Sequence, residues 1–126
     1  MKIQNTQYPI TFGYHSPLKT LYKKGKLPKV TYGFYGDKLN QKNVTLEHLQ
    51  PHSKGGKSCL ENFVLASKQN NLARGNDDIR KYANKECIVR YLSQFMGVRL
   101  PDFNGDKYIA GILQTLTKLG ALWLKN

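Results

Sequence analysis

Between Val44 and Asn76 the chain reads VTLEHLQPHSKGGKSCLENFVLASKQNNLARGN. This stretch gathers two of the three histidines, a Gly-Gly pair and several asparagines in a sequence otherwise rich in lysine and tyrosine. Glu47 and His48 are neighbours, and His48 is the one histidine with a carboxylate beside it in sequence. A regular pleat would send the two to opposite faces, a rule that relaxes where a strand runs into a loop. Asn62, Asn70 and Asn71 follow downstream. A histidine, a carboxylate and an amide oxygen brought together can serve one hard divalent cation, which prefers oxygen ligands.

Three elements must position these groups. VTLEH (44–48) reads as a strand, LQPHSKGGKSCLE as a long loop turned by Pro51, Ser53, Gly55 and Gly56, and NFVLA (62–66) as a second strand. SKQNNLARGN then opens a helix. Upstream, SPLKTLYKKGKLP has the marks of a short helix: Ser16 as cap, Pro17 at the first helical position, Gly25 and Pro28 as the stop. KVTYGFYGDKLN, β-branched, aromatic and punctuated by Gly33 and Gly36, predicts an irregular hairpin or knuckle. Beyond Asn76, Asp77 and Asp78 sit at cap positions. Ile79, Tyr82, Ala83, Ile88, Tyr91, Leu92 and Phe95 then recur at helical spacing. VRLPDFNG breaks that helix, and Ile109, Ile112, Leu113, Leu116 and Trp123 mark a last one. Such stripes are core-facing, so this helical pair is expected to be scaffold.

At 126 residues the chain has the length of one domain, here 1–126. Its net charge of +12 comes with no acid before Asp37. A surplus of that size suits a polyanion, most commonly a phosphate backbone, the other takers being plain solvent or anionic lipid. Cys59 and Cys87 are too few for a disulfide framework and form no CxxC pair. No segment approaches the roughly 20 apolar residues of a membrane span, and MKIQNTQYPITFGYH lacks the apolar run of an export signal. An intracellular, cytoplasmic protein with reduced thiols and no membrane partner is the expectation.

The series LEHLQPHSKGGKSCLENFVLASKQNNLARG resembles the HNH endonucleases, built on a ββα-metal unit. The likeness lies in an acid then His at a strand end, a Pro-x-Ser-x-Gly-Gly loop, an Asn at the second strand, an Asn in the helix, then a basic residue and Gly. It runs over 21–76 and implies an α+β fold, with 77–126 as the C-terminal helical scaffold. The resemblance makes His48 the general base toward water and Asn62 the group that holds its ring. Glu47 and Asn71 become the ligands of one divalent cation, with Asn70 competing for the second place. Arg74 becomes a phosphate clamp. Beside these, the loop residues His52, Lys54 and Lys57 are expected contacts to DNA, His52 otherwise a solvated residue and not a metal ligand. His15 lies outside the motif and reads as a surface residue.

Many members of that family hold a structural zinc with two CxxC pairs. The matching positions here are Tyr32, Tyr35, Ser67 and Asn70, so no structural zinc is expected and packing by Tyr32, Phe34 and Tyr35 is expected instead. Glu47 stands where Asp or His is commoner, one methylene longer. A carboxylate and an amide favour Mg²⁺ or Mn²⁺ over Zn²⁺. The resemblance thus implies a DNA endonuclease, acting most naturally on the duplex and leaving 5′-phosphate and 3′-hydroxyl, of the kind common in phages and mobile elements. Its rivals are a DNA-binding module without catalysis and an RNA binder using the eight tyrosines to stack on bases.

Overall fold

A computed structural model describes residues 17–121 of the chain. The expected roles of His15, Ser16 and Trp123 lie outside the described residues. The fold is α+β: among the described residues there are five helices and two small antiparallel sheets. None of those helices is long and apolar enough to cross a membrane.

Helix α1 (Pro17–Lys23) starts on its proline and is stopped at Gly25, whose φ of 74° only glycine adopts without strain. The chain then makes the knuckle, where one isolated bridge joins Tyr32 to Lys38. Strands β1 (Val44–His48) and β2 (Phe63–Ser67) pair antiparallel, with Leu46 opposite Leu65 and His48 opposite Phe63. Between them run two 3₁₀ turns, His52–Lys54 and Leu60–Asn62, so that Asn62 sits in a turn rather than in the strand. Helix α2 (Lys68–Arg74) follows at once, its first turn capped by the Ser67 hydroxyl accepting from the Asn70 N–H.

Every residue of β2 is buried, which leaves its outer edge, away from β1, with backbone groups that water cannot reach. Three side elements satisfy them. Phe34 N–H donates to Leu65 O. The Leu65 N–H donates to the Tyr91 hydroxyl at 2.9 Å, and the Tyr108 hydroxyl donates to Phe63 O at 2.7 Å. The two hydroxyls lie 2.9 Å apart. Since Tyr108 spends its one proton on Phe63, the bond between them must run from Tyr91 to Tyr108.

The expected long helix after Asn76 is two helices, α3 (Ile79–Tyr82) and α4 (Lys85–Ser93). Ala83 turns extended and Asn84 caps afresh, accepting from the Cys87 N–H. The segment expected only to break the helix forms a hairpin, β3 (Arg99–Leu100) with β4 (Phe103–Asn104). Asn104 caps α5 (Gly105–Lys118). One apolar core runs from Leu18 to Ala121, with Phe34, Leu49, Phe95, Ile112 and Leu116 at its centre. The C-terminal part is therefore three helices and a hairpin rather than a helical pair, and it holds the outer edge of β2.

The knuckle is held by side-chain chemistry. Gln94 accepts from the N–H groups of Thr31 and Tyr32, each at 2.8 Å, and donates to the carbonyls of Tyr32 and Tyr91. Ser67 donates to Asp37 at 2.8 Å, and the Arg90 guanidinium lies 4.2 Å from the Tyr32 ring centre. The Tyr35 ring packs edge-on against Phe34 and Tyr82. Tyr32, Tyr35, Ser67 and Asn70 are each engaged in this network or in the one below.

Candidate functional site

An open cleft of about 400 Å³ lies where the end of β1, the first loop turn and the end of α2 meet. Glu47, His48, His52 and Asn71 line it, together with Pro51, Ser53, Gly75 and Asn76. The strand end does relax the pleat: Glu47 and His48 border the same cavity.

Two glycines let the loop reach this place. Gly55 has φ 88°, and its N–H closes the 3₁₀ turn on His52 O. At Gly56 a Cβ would stand 1.8 Å from Gln50 O, so no side chain fits. Asn62, buried, ties the loop together. Its Oδ1 accepts from Gln50 N–H at 2.9 Å, and its Nδ2 donates to Gln50 O at 3.1 Å and Lys57 O at 2.8 Å. This corrects the expected role. Asn62 does not hold the His48 ring, because all of its polar atoms are committed to loop backbone.

The His48 ring is placed by packing on Phe63, directly opposite in the ladder, with ring centres 4.7 Å apart. Its Nε2 is enclosed and has no hydrogen-bond partner. Such an atom costs stability, which makes it a mark of a site built for something other than packing. Burial, then the His52 and Arg74 charges, holds the imidazole below its ordinary pKa, so it is neutral at neutral pH.

Glu47 is buried, and its Oε2 accepts from the Tyr35 hydroxyl at 2.8 Å while Arg74 Nη1 stands 3.3 Å away. Burial raises the Glu47 pKa, and the Tyr35 bond and Arg74 pull it back. Burial and the facing Glu47 charge push the Tyr35 hydroxyl well above its usual range, so it stays a donor.

Arg74 also departs from expectation. It is 1% exposed, and its guanidinium donates to the carbonyls of His48, Leu49 and Asp77 and to the Tyr35 hydroxyl. A phosphate cannot reach it. Arg74 is an interior brace that fastens the end of α2 to the end of β1 beneath the cleft.

Asn71 donates through Nδ2 to Leu46 O at 3.1 Å. The NH₂ end is thereby fixed on β1, and the amide oxygen is the end left for a ligand. Asn70 is engaged elsewhere, its Oδ1 accepting from the Tyr82 hydroxyl at 2.7 Å. Of the two asparagines, Asn71 is the one at the cleft.

Among the described residues no three His, Cys, Asp or Glu side chains cluster as metal ligands. The oxygen set at the cleft is one carboxylate and one amide, which suits a hard cation that completes its shell with water and phosphate. His52, Lys54 and Lys57 are exposed on the loop. Tyr35, Pro51, Ser53, Gly75 and Asn76 were not expected at the site. For Gly75 and Asn76 the available signal was their place directly after Arg74; for Tyr35 there was none in the local pattern. No family model, curated protein or solved structure matches this chain.

Proposed function

We propose that this protein is a metal-dependent endonuclease of the HNH type, hydrolysing DNA phosphodiester bonds. The observation that supports it is the cleft itself: the carboxylate of Glu47, the neutral imidazole of His48 and the amide of Asn71 line one open space between the end of β1, the loop turn and α2. Glu47 and Asn71 would hold the divalent cation, Mg²⁺ or Mn²⁺. Once bound, such a cation supplies Lewis-acid stabilisation of charge developing on the phosphate and the leaving oxygen.

The chain's own residues do the rest. The His48 imidazole, neutral and at the cleft wall, accepts a proton from water as the water oxygen bonds to phosphorus. The bond from phosphorus to the 3′ oxygen breaks, that oxygen takes a proton from solvent, and a 5′-phosphate remains on the other fragment. Phe63 sets the plane of the imidazole, and Asn62 keeps the loop in place beside it. His52, Lys54 and Lys57 meet the backbone phosphates, within the field of a +12 chain.

Supercoiled plasmid with Mg²⁺ or Mn²⁺ tests this. The wild type should yield relaxed or linear DNA, and His48→Ala should lose about 10²–10⁴-fold in rate while still shifting DNA on a gel. Equal cleavage by His48→Ala would overturn the mechanism. DNA binding with no cleavage by the wild type would leave a binding module instead.

A further inference from the structure

We propose that Tyr35 is a positioning residue for Glu47 and sets which cations the cleft accepts. The inference rests on the reading of Glu47 as a metal ligand. Glutamate has one methylene more than aspartate and would swing freely unless braced. Here the brace is visible: the Tyr35 hydroxyl at 2.8 Å and Arg74 Nη1 at 3.3 Å both engage the same oxygen, Oε2. Arg74 also donates to the Tyr35 hydroxyl at 3.2 Å, closing a three-membered cluster.

The tyrosine is itself immobilised. Its ring meets Phe34 and Tyr82 edge-on, with centres 5.4 and 4.8 Å apart. Tyr82 in turn donates to Asn70, the neighbour of Asn71 on α2. One aromatic strut thus joins the knuckle, the carboxylate and the helix that carries the amide oxygen. A knuckle residue thereby supports the candidate metal site.

With Oε2 engaged twice, Glu47 offers a cation one oxygen. A small cation with six ligands, most of them water, is served by a single carboxylate oxygen. Ca²⁺ takes more ligands and gains from a carboxylate that binds through both oxygens. Tyr35 therefore favours Mg²⁺ and Mn²⁺ over Ca²⁺.

The test is calorimetric titration of the full chain with MnCl₂ and with CaCl₂, for wild type, Tyr35→Phe, Glu47→Ala and Tyr82→Phe. Phe keeps the ring contacts, and a cooperative melt near that of wild type checks that the variant is folded. Tyr35→Phe should bind Mn²⁺ about 10–100-fold more weakly, the usual effect of losing a partner of a ligand. Its Ca²⁺ affinity should change less, so the ratio between the two metals narrows. Tyr82→Phe, which touches no carboxylate, should keep the wild-type ratio, and a narrowed ratio there would overturn the assignment to Tyr35. Wild-type affinities in Tyr35→Phe, or equal losses for both metals, would overturn the inference and leave the nuclease reading standing. Absence of cation binding in wild type, or full binding by Glu47→Ala, would remove that reading and the inference with it.

Discussion

Replacing Asn62 by alanine removes one side chain that makes three hydrogen bonds to loop backbone, at Gln50 N, Gln50 O and Lys57 O. A net 0.5–1.5 kcal/mol each gives about 1.5–4.5 kcal/mol. Gln50 is half-buried and Lys57 exposed, so water recovers part of this, and about 2–3 kcal/mol is expected in urea unfolding at neutral pH. Asn62→Asp is the sharper variant. It keeps the acceptor for Gln50 N–H but turns a carboxylate oxygen toward two carbonyls that need a donor. Asp should therefore be worse than Ala at neutral pH. Its deficit should shrink in acid, where the protonated carboxyl regains a donor. Had Asn62 held the imidazole, Asp would accept from the ring N–H equally well and be tolerated. An Ala variant within about 0.5 kcal/mol of wild type, or an Asp variant more stable than Ala, would refute the loop-clamp assignment.

Two further outcomes are expected. Tyr91→Phe strips the buried Leu65 N–H of its acceptor and should cost about 1–3 kcal/mol in the same urea assay, the penalty for an unsatisfied buried donor. EDTA should stop plasmid cleavage without lowering the melting temperature, because Gln94, Ser67 and the aromatic rings hold the knuckle; a large drop, with zinc found in the purified protein, would mean that the knuckle binds metal after all.

The ββα order was legible because each piece carries a local signal. VTLEH and FVLAS are β-branched and apolar, Ser67 begins a capped turn, and Gly-Gly marks a loop with unusual backbone demands. The break at Ala83 is marked locally only by Asn84, which caps the next helix ahead of Lys85 and Glu86. Apolar spacing alone bridged the two helices. Arg74 and Asn62 misled for a shared reason. Residue type tells what a side chain can bond to, whereas its partner depends on where the chain on either side has gone. An arginine in the last turn of a short helix looks exposed until the end of β1 is found lying across it. The sequence around Tyr35 speaks only for a packing ring, and the fold alone brings its hydroxyl to Glu47.

The closure of β2 by two hydroxyls also bears on how the chain avoids sticking to itself. FVLA is a run of the kind that recruits foreign strands when its edge is open. Two of the three groups that close that edge come late, Tyr91 from α4 and Tyr108 from α5. A nascent chain that has emerged only as far as Asn76 carries both strands, the helix and the Phe34 N–H that meets Leu65 O, but not the two hydroxyls that meet Leu65 N–H and Phe63 O. Completion of α5 seals the edge, so the C-terminal helices guard against aggregation during synthesis as well as packing the finished molecule.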